Sequence, residues 1–250
     1  TYRDFSAYYF NEMSRIFLDV VYLDDVFLSP NYNLIQSDAF RGSDGIIHPD
    51  SGLYNMREHV RRSSMLIHEQ NRPVNTMVHM TNTAIMPILS FSYTHFTWEY
   101  YADFKPFQER ITRESIRVMD TGLQAGTIPF GMILVAKGTA EEHAWAERTA
   151  IGVALSHDLK LYSYLPLYQK ILKLMFSFGY GQDNAQVFNY WQEDYPVRIE
   201  GIDSSSLAVR KGNKLMILVC DWKNGGTVRI SLSPVLGMRK KWSAVDMENS

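Results

Sequence analysis

The sequence predicts an α/β protein, the C-terminal half of a (β/α)8 TIM-type barrel followed by a small antiparallel β-sandwich. Three observations carry that prediction. Helical periodicity alternates with short, nearly all-apolar runs, the pattern of a parallel sheet covered on both faces. The longest polar loops follow Val26 and Thr81, at the strand ends where barrels build their sites. From about Val187 the period changes to two, in short runs broken by Lys-Gly-Asn and Asn-Gly-Gly, which are hairpin signals. Only four strand–helix units are visible before that change, whereas a closed barrel takes about 250 residues. Residues 1–183 are therefore expected to be a half barrel and 184–250 the sandwich. The remaining barrel strands are expected on a longer parent chain or on a second copy, since exposed sheet edges associate.

The elements follow in order. Residues 1–17 place Phe5, Tyr9, Met13 and Ile16 at helical spacing, and 19–26 form an apolar strand that ends at Asp24 and Asp25. Residues 29–52 are rich in Pro, Asn, Asp, Ser and Gly and read as loop. Helical period returns in "LYNMREHVRRSSMLIHEQN", which Pro73 bounds. A second strand is expected over 74–82 and a third from 88. Residues 106–121 read as helix, 125–135 as a fourth strand, and 140–160 and 162–177 as helices.

Composition narrows the function classes. The 250 residues are 46% hydrophobic and 21% charged, with a net charge of -2, which points away from a nucleic-acid footprint. The basic clusters Arg57–Arg62 and Arg239–Lys241 read as solvated faces. No apolar run approaches the roughly 18 residues of a membrane span. Cys220 is the one cysteine, so no intramolecular disulfide forms, and its apolar surroundings predict a buried, inert thiol. No zinc, nucleotide-phosphate or serine-hydrolase motif occurs: "HEQN" lacks the second histidine of HExxH, and Leu28 breaks an aspartate-rich magnesium motif. Neither a metal nor an organic cofactor is expected.

The chemistry is expected in "VYLDDVF". Inside a strand, one carboxylate of an adjacent pair would enter the layer between sheet and helices, which is costly for an unpaired charge. At the C-terminal end both can reach the rim. Two neighbouring carboxylates there have separated proton affinities, the division of labour that glycoside cleavage needs. Asp24 and Asp25 are the catalytic candidates, with Glu99 of "SYTHFTWEYY" as partner carboxylate. His79, Asn82, Tyr93, His95 and Trp98 fall near the same expected edge, and Arg41 and His48 lie in the loop after the first strand. Aromatic rings beside polar hydrogen-bonders suit sugars, so these residues are the substrate-binding candidates. A non-catalytic carbohydrate-binding protein is the alternative reading.

The succession "VYLDDV", "VHMTNTAIMPILSF", "WEYY", "GTIPFGMIL" and "LVCDWKNGGTVRISLS" resembles the glycoside hydrolase family 123-like proteins. That resemblance implies a (β/α)8 catalytic barrel flanked by β-sandwiches, acting on β-linked N-acetylhexosamine-type glycans; the compartment stays undetermined, with the resemblance leaning to a secreted or periplasmic one. It further implies an aspartate that orients the substrate's 2-acetamido group and a neighbouring glutamate that protonates the leaving oxygen. Those roles fall on Asp24 and Asp25, and the chain departs from the pattern in having Asp, one methylene shorter, at position 25.

Overall fold

A computed structural model describes residues 2–16, 20–70, 75–80, 84–99, 103–123, 125–223, 225–234 and 243–248. The chain forms two compact units, Thr1–Tyr100 with Gly122–Phe130, and Tyr101–Thr121 with Gly131–Ser250.

In the first unit, α1 (Tyr2–Ile16) leads to the short strand β1 (Val21–Leu23). The loop after it carries a two-residue hairpin, β2 (Phe40–Arg41) with β3 (Ile47–His48). Then come α2 (Leu53–His68), β4 (Thr76–His79), α3 (Met86–Leu89) and β5 (Thr94–Thr97). β1 and β4 pair in parallel with Leu23 beside Val78, and β4 and β5 pair in parallel with His79 beside Phe96. The strand β6 (Ile128–Met132) begins in this unit and ends in the next. With β7 (Lys160–Tyr162) the sheet runs β1–β4–β5–β6–β7. Among the described residues no pairing returns from β7 to β1, so what is established is a five-stranded parallel sheet with interleaved helices. β7 is the strand the sequence reading did not separate from its flanking helices, because three residues are too short for a period.

Alternation along the strands sorts the two sheet faces. Val21, Leu23 and Val78 point into the core formed with Val60, Ile67, Ile88 and Leu89 of the helices. Tyr22, His79 and Phe96, each offset by one, take the other face. On α1 the small Ser6 and Ser14 are buried, whereas Phe5, Tyr9 and Ile16 are exposed. The helix therefore meets the molecule through a face rotated from its aromatic stripe, where only Phe10 adds a large side chain to the core. Two of the basic residues on α2 are spent on the surface: Arg61 and Arg62 both bond Glu58, and Arg62 reaches Asp4.

In the second unit α4 (Arg113–Met119) precedes α5 (Ala140–Ser156), which starts at a capping box: the Thr139 hydroxyl accepts from Glu142 N–H and the Glu142 carboxylate accepts from Thr139 N–H. Its small residues Ala146, Ala150 and Ala154 are buried, and Thr149 Oγ1 takes the Phe107 N–H at 2.9 Å. After α6 (Pro166–Phe178), two antiparallel sheets follow. One holds β8 (Gln186–Asn189), β10 (Ser204–Lys211) and β11 (Lys214–Asp221) in the order β11–β10–β8. The other pairs β9 (Val197–Glu200) with β12 (Arg229–Leu232). Phe188, Val197 and Ala208 form a core with Ile217 and Ile230, so side chains of both small sheets share one apolar cluster. Cys220 is buried, and burial pushes its thiol up to about 12, as an inert core residue requires. No described helix is long and apolar enough to cross a membrane.

Two histidines tie stability to pH. His95 and His157 are buried, and loss of water pulls each down to about 4. Nδ1 of His157 donates to Val153 O at 2.7 Å, which opposes the shift without cancelling it, and Nε2 faces the Tyr190 hydroxyl at 2.9 Å. Each folded value lies below the unfolded one of about 6.5. The stabilisation is therefore complete above about pH 6.5 and is lost as pH falls towards 4, at up to about 1.4 kcal/mol per pH unit for each histidine. The urea midpoint is expected to fall between pH 7 and pH 5, and the fall to shrink in His157→Gln. Identical pH dependence in the two proteins would remove His157 from the account.

Candidate functional site at the strand ends

The sheet register decides which side chains meet. β4 lies between β1 and β5, so the residues at the C-terminal ends of these three strands form one row. Continuing the β1–β4 register by one step puts Asp24 beside His79, which itself pairs with Phe96. His79 ends β4, Asp24 follows β1, and Glu99 follows β5 by two residues. Asp24 Oδ1 stands 2.8 Å from His79 Nδ1, and Glu99 Oε2 stands 3.0 Å from His79 Nε2. One imidazole thus bridges two carboxylates. The bridge is asymmetric in exposure: the His79 side chain is 5% exposed, against 64% for Asp24 and 45% for Glu99.

Backbone at both flanks is bent to make this possible. Asp25 has φ 52° and Trp98 φ 78°, left-handed conformations that aspartate tolerates and a bulky ring does not. At Asp25 the chain turns out of β1 while Val26 N–H still bonds His79 O at 3.0 Å, which pins the rim of one strand to the next. At Trp98 the turn comes immediately before Glu99, and the ring is wholly buried.

Tyr22, two residues before Asp24 on the same strand face, donates its hydroxyl to Asp24 Oδ1 at 3.1 Å. Its ring lies against His79 (centroids 6.4 Å apart, planes at 29°) and meets Phe96 edge-on at 5.8 Å. Phe96 in turn contacts Phe130 of β6. The His79 hydrogen bond holds the Asp24 carboxyl below its ordinary value, with the Tyr22 hydroxyl adding to the effect. Burial, followed by the hydrogen bond to Asp24 and its charge, pushes the Tyr22 phenol up, so it stays a donor.

The remaining candidates separate. Asp25 is exposed beside Asp24. Arg41 donates to Gly45 O at 2.7 Å, closing its own hairpin, and His48 stacks on Phe40 with ring centroids 4.9 Å apart. Neither bonds Asp24, His79 or Glu99 among the described residues. His95 does not belong to the rim: it pairs with Val78 and so points to the helix-covered face, where it is buried with no partner for Nδ1 among the described residues. Trp98, being wholly buried, offers no ring face for stacking. Tyr93 stands one residue before β5, at the opposite end from Glu99, with its N–H on Thr76 O at the start of β4. Asn82 lies outside the described residues. Comparison with protein families, characterised proteins and solved structures yields no match. The site therefore stands on its own geometry.

Chemically, the arrangement aims both nitrogens of one buried imidazole at carboxylates, Nδ1 at Asp24 and Nε2 at Glu99, a disposition through which a ring can pass a proton between acid and base groups.

The site residue that sequence reasoning missed is Tyr22. The signal was present: two positions before Asp24, on the same face of the same strand.

Proposed function

We propose that the chain is the catalytic portion of a glycoside hydrolase similar to family 123, on the C-terminal half of a (β/α)8 barrel, acting on β-linked N-acetylhexosamine-type glycans. The observation that supports this best is the Asp24–His79–Glu99 bridge at the C-terminal ends of three adjacent parallel strands, where barrel enzymes place their acids and bases. Glu99 is the acid: it protonates the glycosidic oxygen as the C1–O bond breaks. The substrate's own 2-acetamido oxygen forms the new bond to C1, and its N–H is held by Asp25, the exposed carboxylate one residue from the bridge. Water then attacks C1, the bond from C1 to the acetamido oxygen breaks and restores the amide, and Glu99 takes the proton that the water loses. Asp24 is occupied by His79 and Tyr22, so the roles that the resemblance puts on Asp24 and Asp25 move to Asp25 and Glu99.

The carbohydrate-binding alternative needs aromatic faces open at the rim: Trp98 is buried and Tyr93 is at the far end of its strand, which leaves Tyr22 as the exposed ring beside the bridge. The test is release of phenol from an aryl β-N-acetylhexosaminide by the unmodified chain and by Asp25→Asn. Turnover in the first and a loss of about 10²-fold or more in the second is expected. An inactive unmodified chain that binds chito-oligosaccharide equally well after Asp24→Ala and Asp25→Ala would replace the enzyme with the binder.

A further inference from the structure

We infer that Tyr22 is the positioning residue of this site, the group that keeps Asp24 aimed at His79. The inference rests on the proposed hydrolase reading for its catalytic consequence, though not for its geometry. Asp24 is 64% exposed, and nothing in a solvated carboxylate's own energetics keeps it on one rotamer. A side chain so placed holds a catalytic direction only if hydrogen bonds from the protein outcompete water. The Tyr22 hydroxyl provides one, at 3.1 Å, to the same Oδ1 that faces His79 Nδ1 at 2.8 Å. Two donors converging on one oxygen fix the plane of the carboxylate as one donor does not.

The ring of Tyr22 adds the second restraint. Its plane is inclined at 29° to the imidazole and it meets Phe96 edge-on, and Phe96 is itself edge-on to His79. The imidazole thus has one aromatic ring of β1 and one of β5 beside it, each with its centroid 6.4 Å away. Because Tyr22 and Asp24 are two apart on one strand, their relative position is set by the backbone and needs no loop to order it. Tyr22 acts through Asp24, so it positions and does not itself exchange protons with substrate.

Tyr22→Phe removes the hydroxyl and keeps the ring; Tyr22→Leu removes both. In Tyr22→Phe, kcat on an alkyl β-N-acetylhexosaminide is expected to fall on the order of 10-fold with KM within about two-fold, and Tyr22→Leu to fall further. The independent readout is the ring proton on His79 Nδ1, followed by NMR and assigned by its absence in His79→Gln. Its resonance is expected to be sharp in the unmodified chain and broadened by solvent exchange in Tyr22→Phe, with an unchanged melting temperature confirming the fold. Unaltered kcat together with an unaltered Nδ1–H resonance in Tyr22→Phe would overturn the role. If the resonance broadens while neither protein turns over any glycoside, Tyr22 keeps its positioning role and the hydrolase reading is the part that fails.

Discussion

Glu99→Gln is expected to lower turnover of an alkyl β-N-acetylhexosaminide by about 10²–10⁴-fold, the range set by losing a positioned proton donor. The amide keeps the volume and can still bond His79 Nε2, so the fold and the bridge should persist while the transferable proton is gone. A glycoside with a strongly acidic phenol as leaving group departs without protonation, so its cleavage should fall far less. That split between substrates is the informative result. Equal losses on both would show that Glu99 does not donate to the leaving oxygen. His79→Gln should follow the same pattern less sharply, since it leaves Glu99 in place but removes the ring through which Asp24 stabilises it.

The largest expected effect on stability is at Trp98. The side chain is wholly buried, and truncation of a buried tryptophan to alanine costs about 3–5 kcal/mol. The left-handed backbone at φ 78° adds a test that packing alone does not offer. Glycine enters that region without the penalty of roughly 1–2 kcal/mol that a Cβ carries. Trp98→Gly should therefore be more stable than Trp98→Ala, by about 1 kcal/mol, although it removes one more carbon. Urea unfolding of the two variants decides it. Alanine equal to or more stable than glycine would mean that the backbone relaxes once the ring is gone, and that the ring, not the loop, imposes the turn. Either variant should also weaken the site, because the turn at Trp98 delivers Glu99 to His79.

The alternation of helices with apolar strands was legible because a parallel sheet buries both faces and leaves few polar residues to interrupt the run. The placement of Asp24 at a strand end was legible for the converse reason: a charge is expensive anywhere else in that strand. β7 was not legible, since three residues between two helices carry no period. Helical spacing of Phe5, Tyr9, Met13 and Ile16 predicted the helix α1 but not its packed face: its contacts with α2 include Tyr2 and Phe10 against His59 and Asp4 with Arg62.

Within the site the division is sharper. By itself the sequence determined that carboxylates, a histidine and aromatic residues gather near the ends of consecutive strands, because strand period and polarity both depend on near neighbours in the chain. It left His79 and His95 equivalent, each a histidine in an apolar run. Only the register between β4 and β5 separates them, turning His79 to the face of Tyr22 and His95 to the helices. Register is a property of paired strands, set by hydrogen bonds between residues more than a dozen positions apart. For the same reason the tertiary structure alone decided that Glu99 reaches the ring from one side and Asp24 from the other. That bridge joins three strands, and no one segment of the chain contains it.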